Sequence, residues 1–263
     1  MNALANAPPD IVRQAIRSGQ WTGPTPGLAL GYVQANLVIL PRDWAFDFML
    51  FCQRNPQPCP LLEVTDPGSP VPLTMAPQAD LRTDVPRYEQ FENGEKTATL
   101  KHLQDRWQPD WVAFLLGCSF TFEKALLNAG LPVRHIECGS NVPMFRTNRP
   151  CQPAGRLHGN TVVSMRPMLP DQAEAAVALC RPFRLAHGAP VHIGDPTALG
   201  IRDLSRPDFG DPVPVRTGEV PVFWACGVTP QEAIRAARPP LAITHAPGHM
   251  FITDWRDEAL LRA

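Results

Sequence analysis

The chain has 263 residues, 44% of them hydrophobic and 19% charged, with a formal net charge of −1. That balance excludes a disordered chain, supports one large core or two intimate subdomains, and gives no electrostatic reason for nucleic-acid binding. Proline is the outlier at 31 residues, more than twice a usual share of about 5%, and its spread between apolar segments points to many rigid turns.

In chain order, MNALANAPPD lacks a basic n-region and a long apolar h-region, so no signal peptide is expected. Pro8–Ser18 reads as a helix opened by proline and stopped by Gly19. A short apolar segment, Ala35–Leu40, precedes a second helix over Pro41–Asn55, which Asn55-Pro56 ends. Cys59–Val64 has the pattern of a strand, and Arg87–Phe91 with Glu95–Thr99 reads as a β-hairpin turning at Asn93-Gly94. Residues 1–105 are thus expected to form a smaller α+β region, and residues 106–263 an α/β region carrying the site.

The second part opens with PDWVAFLLGCSFTFEKAL, Pro109–Leu126, a buried strand feeding a helix through Gly117-Cys118-Ser119. VPVFWACGVTPQEAI, Val220–Ile234, has the same design: with Cys118 set on Cys226, Thr121 falls on Thr229, Ala125 on Ala233 and Leu126 on Ile234. An internal strand–turn–helix repeat is therefore expected. Between the two lie Val133–Glu137 and Thr161–Pro167, read as strands, and Asp171–Leu185, read as a helix. Thr229 is read as an N-cap, Pro230 as N1 and Glu232 as the far side of a capping box. Leu241–Thr244 is a strand delivering His245. Strands alternating with helices imply a three-layer α/β part with a largely parallel or mixed sheet. The longest apolar stretch, around Trp111–Phe122, is too short to span a bilayer. Seven cysteines without a C-x-x-C pair fit reduced thiols, so a cytoplasmic protein without membrane association is expected.

In a mostly parallel sheet, ligands sit at the carboxyl ends of strands. This collects Cys118, Ser119, Arg166, Asp195, Cys226, Thr229 and His245 on one rim. Cys118 or Ser119 would be a nucleophile, but G-C-S-F-T is not the G-x-S-x-G elbow, and a buried cysteine beside a capping serine explains the turn as well. His187, His192 and Asp195 have the chemistry of metal ligands but no metal-site spacing, so acid–base work by a histidine and an aspartate is preferred. Arg146 and Arg166 are placed to grip a carboxylate or to form structural ion pairs. His245 and His249 flank a Pro-Gly turn, one as acid or base and the other as a loop brace.

The segments LLGCSFTFEKAL, NVPMFRTN, VVSMRP, APVHIGDP with GIRDL and PDFGD, PVFWACGVTPQ and ITHAPGHMFITD, taken in order, resemble the hydro-lyase family related to D-glutamate cyclase-like proteins. The resemblance runs from the N-terminal helix nearly to the C-terminus. It implies a three-layer α/β part joined to a smaller α+β part, and elimination of water as the activity. In the mitochondrial D-glutamate cyclase the similar region is one part of a longer chain, so the resemblance bears on lyase chemistry more than on D-glutamate.

The expected function is therefore a hydro-lyase without cofactor or metal, acting on a small carboxylate such as an amino or hydroxy acid. His192, Asp195 and His245 are the expected catalytic groups. Ser119, Arg146, Asn148, Arg166 and Thr229 are expected to bind substrate, with the helix N-termini near Ser119 and Thr229 receiving negative charge. A hydrolase using Cys118 or Ser119 is the alternative, and a non-catalytic sensor of a small acid is a third reading. Assembly into a homo-oligomer is compatible with the sequence.

Overall fold

The computed structural model describes residues 3–261. Strand β1, Tyr32–Pro41, is the hub of a seven-stranded sheet. On one edge it pairs with β5, Trp111–Gly117, which in turn pairs with β2, Leu61–Val64. Its other edge is shared: β10, Ala242–His245, pairs with Val38 and Ile39, and β11, Phe251–Arg256, with Tyr32 to Ala35. The hairpin of β3, Tyr88–Glu92, and β4, Glu95–Leu100, extends the β10 side. It turns through Asn93 and Gly94 at φ 51° and 83°, as an Asn-Gly hairpin requires.

Period-two alternation in β1 and β5 divides the core. Val38, Leu40, Val112, Phe114 and Leu116 pack against helices α2, Arg42–Arg54, and α6, Thr229–Ala237. Leu37, Ile39, Ala113 and Leu115 face α3, Phe120–Asn128, and α5, Pro170–Cys180. Helices therefore cover both faces of this sheet. The N-terminal helix α1, Pro9–Arg17, lies along β11. A second sheet has the order β6–β7–β9–β8, with β6 Met144–Pro150, β7 Asn160–Met168, β8 His192–Ile193 and β9 Val220–Ala225. Its Val222 and Trp224 join the α3–α5 core.

The expected parallel sheet is corrected: every strand pairing among the described residues is antiparallel. Alternating strands and helices give a parallel sheet only where each helix returns the chain to the same sheet, but α3 leads away from the first sheet into the second. Between β7 and β9 the chain adds a long irregular segment after α5 that reverses it. The seven-stranded sheet also takes strands from both sides of residue 105. Val133–Glu137 is corrected too, since Arg134–Glu137 forms one helical turn, α4, closed by an Arg134–Glu137 ion pair at 3.0 Å. Pro109–Leu126 and Val220–Ile234 do each form a strand, a tight turn and a helix, on different sheets.

Asp257, after β11, carries a local stability cost. It is buried, and Oδ1 has no hydrogen-bond partner among the described residues. Burial, with the charge of Glu258, pushes its carboxyl up to about 7 against the pull of Lys124 and Arg256. The folded protein then holds this proton more tightly than the unfolded chain, so stability falls as pH rises from near 4 to near 7. Asp257→Asn is expected to be more stable than the wild type at pH 8 by roughly 1–3 kcal/mol and about equal to it near pH 4, in urea unfolding. An equal effect at both pH values would remove the carboxyl's ionisation as the cause.

Candidate active site

The two strand–turn–helix junctions meet. β5 and β10 run in the same direction on either side of β1, so Cys118 and His245 emerge at the same end of the sheet. Cys226, after β9, arrives from the second sheet. Between them is a small cleft, partly open to solvent, lined by Asn36, Cys118, Ser119, Cys226, Gly227, Val228 and His245 among others.

Neither turn has room for a side chain at its glycine. A Cβ on Gly117 would lie 1.6 Å from the Leu185 carbonyl oxygen, and one on Gly227 would lie 2.1 Å from Asn36 Nδ2. Asn36, on β1, is the spacer between the turns: its amide abuts Gly227 and donates to the Gly117 carbonyl at 2.5 Å. Neither α3 nor α6 has a side-chain N-cap. The Phe120 N–H points at Cys118 Sγ, 3.5 Å away, while the Ser119 and Gly227 N–H groups have no acceptor among the described residues. Two helix N-termini with open donors thus border one cleft, an arrangement that favours an anion.

Behind Ser119 lies a buried ionic chain. Arg166, with no exposed surface, donates to Ser119 Oγ at 3.2 Å, to Ser164 Oγ at 3.1 Å and to Glu123 Oε1 at 2.5 Å. Its guanidinium also lies 5.5 Å from the Phe122 ring centroid and 5.3 Å from that of Trp224. His135 Nε2 approaches the same Glu123 oxygen to 3.1 Å, off the hydrogen-bonding direction. Burial works to raise the Glu123 carboxyl, but His135 and Arg166 outweigh it and hold it below the usual range. An arginine can only donate. The Ser119 oxygen therefore accepts from Arg166, and its own proton is left for a partner elsewhere.

His245 plugs the gap where β10 leaves β1 and β11 has yet to join it. Its Nδ1 lies 3.1 Å from the Leu37 N–H and 3.2 Å from the Leu37 carbonyl, so either neutral tautomer finds a bond. Gln231 of α6 donates to the His245 carbonyl at 3.0 Å and ties the residue to the second junction. Burial lowers this imidazole to about 4 and keeps it uncharged at neutral pH.

Residues 112–254 match the D-glutamate cyclase family. A Stutzerimonas stutzeri protein bearing the name "Putative hydro-lyase" is 60% identical over 260 residues, which is 99% of this chain and 98% of that protein. The chain belongs to the D-glutamate cyclase family. Similar proteins of Rubrobacter xylanophilus, 61% identical over 93% of this chain and 95% of that one, and of Bacillus licheniformis, 59% identical over 95% of each, bear the same kind of name. The stretch matched to the D-glutamate cyclase family contains both turns, Arg166 and His245, while Asn36 comes from β1 outside it.

In this family member the residues singled out from sequence fall into two groups. Ser119 and His245 line the cleft, and Arg166 stands directly behind Ser119. The others lie outside its lining. Arg146 is held by Asp208 at 2.9 Å and Glu232 at 2.7 Å on the surface. Asn148 is exposed on β6 beside Gly200. His192, on β8, points Nε2 at the Asp195 carbonyl, 2.7 Å away, and stacks near Phe223. The exposed Asp195 carboxylate caps the following turn through the Thr197 N–H and hydroxyl, which hold it below its ordinary value.

Thr229 is a correction in detail. It is the first residue of α6 and not its N-cap, and its hydroxyl bonds the Val162 N–H at 2.9 Å. The expected capping box is absent because Glu232 turns outward to Arg146. His187 is buried with Nδ1 2.8 Å from the Gln57 carbonyl, and burial lowers it to about 4. Among the described residues no group of three or more His, Cys, Asp or Glu side chains could hold a metal ion, and no helix is long and apolar enough to cross a membrane.

Proposed function

We propose that the cleft between the Gly117–Ser119 and Cys226–Val228 turns removes water from a small carboxylate, in line with the hydro-lyase names of the relatives. The observation that carries the reading is the Ser119 hydroxyl. Arg166 occupies its oxygen, and its proton can reach an anion in the cleft. The Ser119 and Gly227 N–H groups add donors at two helix N-termini. A substrate carboxylate seated there gains negative charge as the neighbouring C–H is deprotonated, and the same donors stabilise that charge.

In this reading His245 takes the proton. The imidazole is uncharged and either tautomer is satisfied by Leu37, while the incoming carboxylate raises its basicity. The C–H electrons form the double bond, the C–O bond breaks, and the proton held by His245 leaves with the hydroxyl as water. Arg166 positions Ser119. His192, Asp195, Arg146 and Asn148 brace the surrounding fold.

Acyl transfer through Cys118 is the weaker reading, because burial pushes its thiol far up and that of Cys226 to about 11. A reactive cysteine needs the opposite environment.

The test is a panel of short hydroxy and amino carboxylates, followed by ultraviolet absorbance of the conjugated acid formed. At least one is expected to turn over, with kcat/KM lowered about 100-fold in Ser119→Ala. An acid processed as fast by Ser119→Ala as by the wild type sinks the assignment.

A further inference from the structure

Two further clefts meet at Gln57, where the α2–β2 connection faces β6, β7 and β9. The first, about 550 Å³ with part open to solvent, has a floor of Val163, Leu199 and Ala225, all buried, and one charged group, Arg149. The second, about 690 Å³ and likewise partly open, is lined by Arg181 and Arg184. Neither shares a lining residue with the cleft of the two turns, and no carboxylate lines either.

The charge pattern is the informative part. The chain has 24 Lys and Arg against 25 Asp and Glu, so a lining with three arginines and no acid departs from the average. Nearby exposed arginines find acids: Arg146 takes Asp208 and Glu232, and Arg156 takes Asp47 at 2.8 Å. The guanidinium groups of Arg149, Arg181 and Arg184 have no hydrogen-bond or ion-pair partner among the described residues. The wall between the clefts is preformed. Gln57 Nε2 donates to the carbonyls of His187 and Ala189, each at 3.1 Å, and the Gln57 carbonyl meets His187 Nδ1. A ligand therefore need not order that wall on binding.

We propose that the two clefts meeting at Gln57 form a second binding site, for a small organic anion with an apolar body, its phosphate or carboxylate group drawn by the arginines that rim them, Arg149 on one side of Gln57 and Arg181 and Arg184 on the other. Val163, Leu199 and Ala225 receive the apolar part, and the guanidinium forks match phosphate and carboxylate geometry alike. The site also borders the machinery of the two turns. Ala225 precedes Cys226, and Leu185, next to Arg184, presses its carbonyl against Gly117.

The test is calorimetric titration of the full chain with hexyl phosphate, hexanoate and the uncharged hexanol. One or both anions are expected to bind, and which of them binds separates a phosphate ligand from a carboxylate ligand. Binding is expected to weaken about tenfold or more in Arg149→Ala and in Arg181→Ala/Arg184→Ala, and to be unchanged in Arg202→Ala, an exposed arginine outside both clefts. All of these are surface changes, so folding is retained. Equal binding of hexanol and the anions overturns the proposal, as does no binding of either anion. Anion binding that survives both arginine variants also overturns it, and would place the ligand in the cleft of the two turns instead.

Discussion

Glu123→Ala is expected to destabilise the protein by about 3–5 kcal/mol, because it strands Arg166 as an unpaired buried charge. Arg166 has no exposed surface, and Glu123 Oε1 accepts from both its Nε and its Nη2. Ser119 and Ser164 can solvate the guanidinium but cannot neutralise it. In a chain of this size the loss corresponds to a fall in Tm of roughly 6–20 °C. Glu123→Gln, which keeps an acceptor and removes the charge, should fall between. The double change Glu123→Leu with Arg166→Met removes both charges and should be milder than Glu123→Ala, since replacing a whole buried pair often costs little. If Glu123→Ala costs no more than an exposed pair such as Arg156–Asp47, which is worth under about 1 kcal/mol, the buried chain is not holding the fold. The pH dependence has a defined sign. The folded carboxyl is held below its ordinary value, so its stabilisation is present above the normal glutamate range and is lost as pH falls through the folded value.

How far this site was legible in the sequence follows from what each residue depends on. Ser119 and His245 were accessible because each follows an apolar strand run, and the tight turn between such a run and a helix is visible in the order of residues. Their convergence was expected for a different reason, the carboxyl ends of a parallel sheet. They meet because β5 and β10 flank β1 in the same sense within an antiparallel sheet. Strand direction is a tertiary property, and alternating strands and helices do not fix it when a helix leaves its sheet. Glu123, His135 and Asn36 were missed. Asn36 did carry a signal, a polar amide inside an apolar run buried along its length. Glu123 carried a weaker one, because an acid in the first turn of a helix is ordinarily a solvated dipole partner. His135 was hidden by reading its segment as a strand. His192 and Asp195 drew attention by composition, and a cluster of His, Asp, Gly and Pro is also what an exposed turn is made of.

The close approach of the Arg184–Ala186 turn to Gly117 leads to the second large effect. Gly117→Ala is expected to cost about 3 kcal/mol or more, measured by urea unfolding, because the new Cβ would meet the Leu185 carbonyl oxygen at 1.6 Å and its carbon at 2.7 Å. Both obstacles are backbone, so no rotamer change relieves them, and either the end of β5 or the Arg184–Ala186 turn must move. Gly130, at φ 71° with nothing within 4 Å of its added Cβ, is the control. Alanine there meets only the left-handed backbone penalty, about 1–2 kcal/mol. A Gly117→Ala variant no less stable than Gly130→Ala would show that the Leu185 carbonyl does not confine Gly117. Gly227→Ala separates the two sources of constraint, because its obstacle is the Asn36 side chain. Removing that side chain as well, in Gly227→Ala with Asn36→Ala, should recover part of the loss from the clash. It should not recover the cleft, since the Gly117 carbonyl then loses the amide that ties one turn to the other.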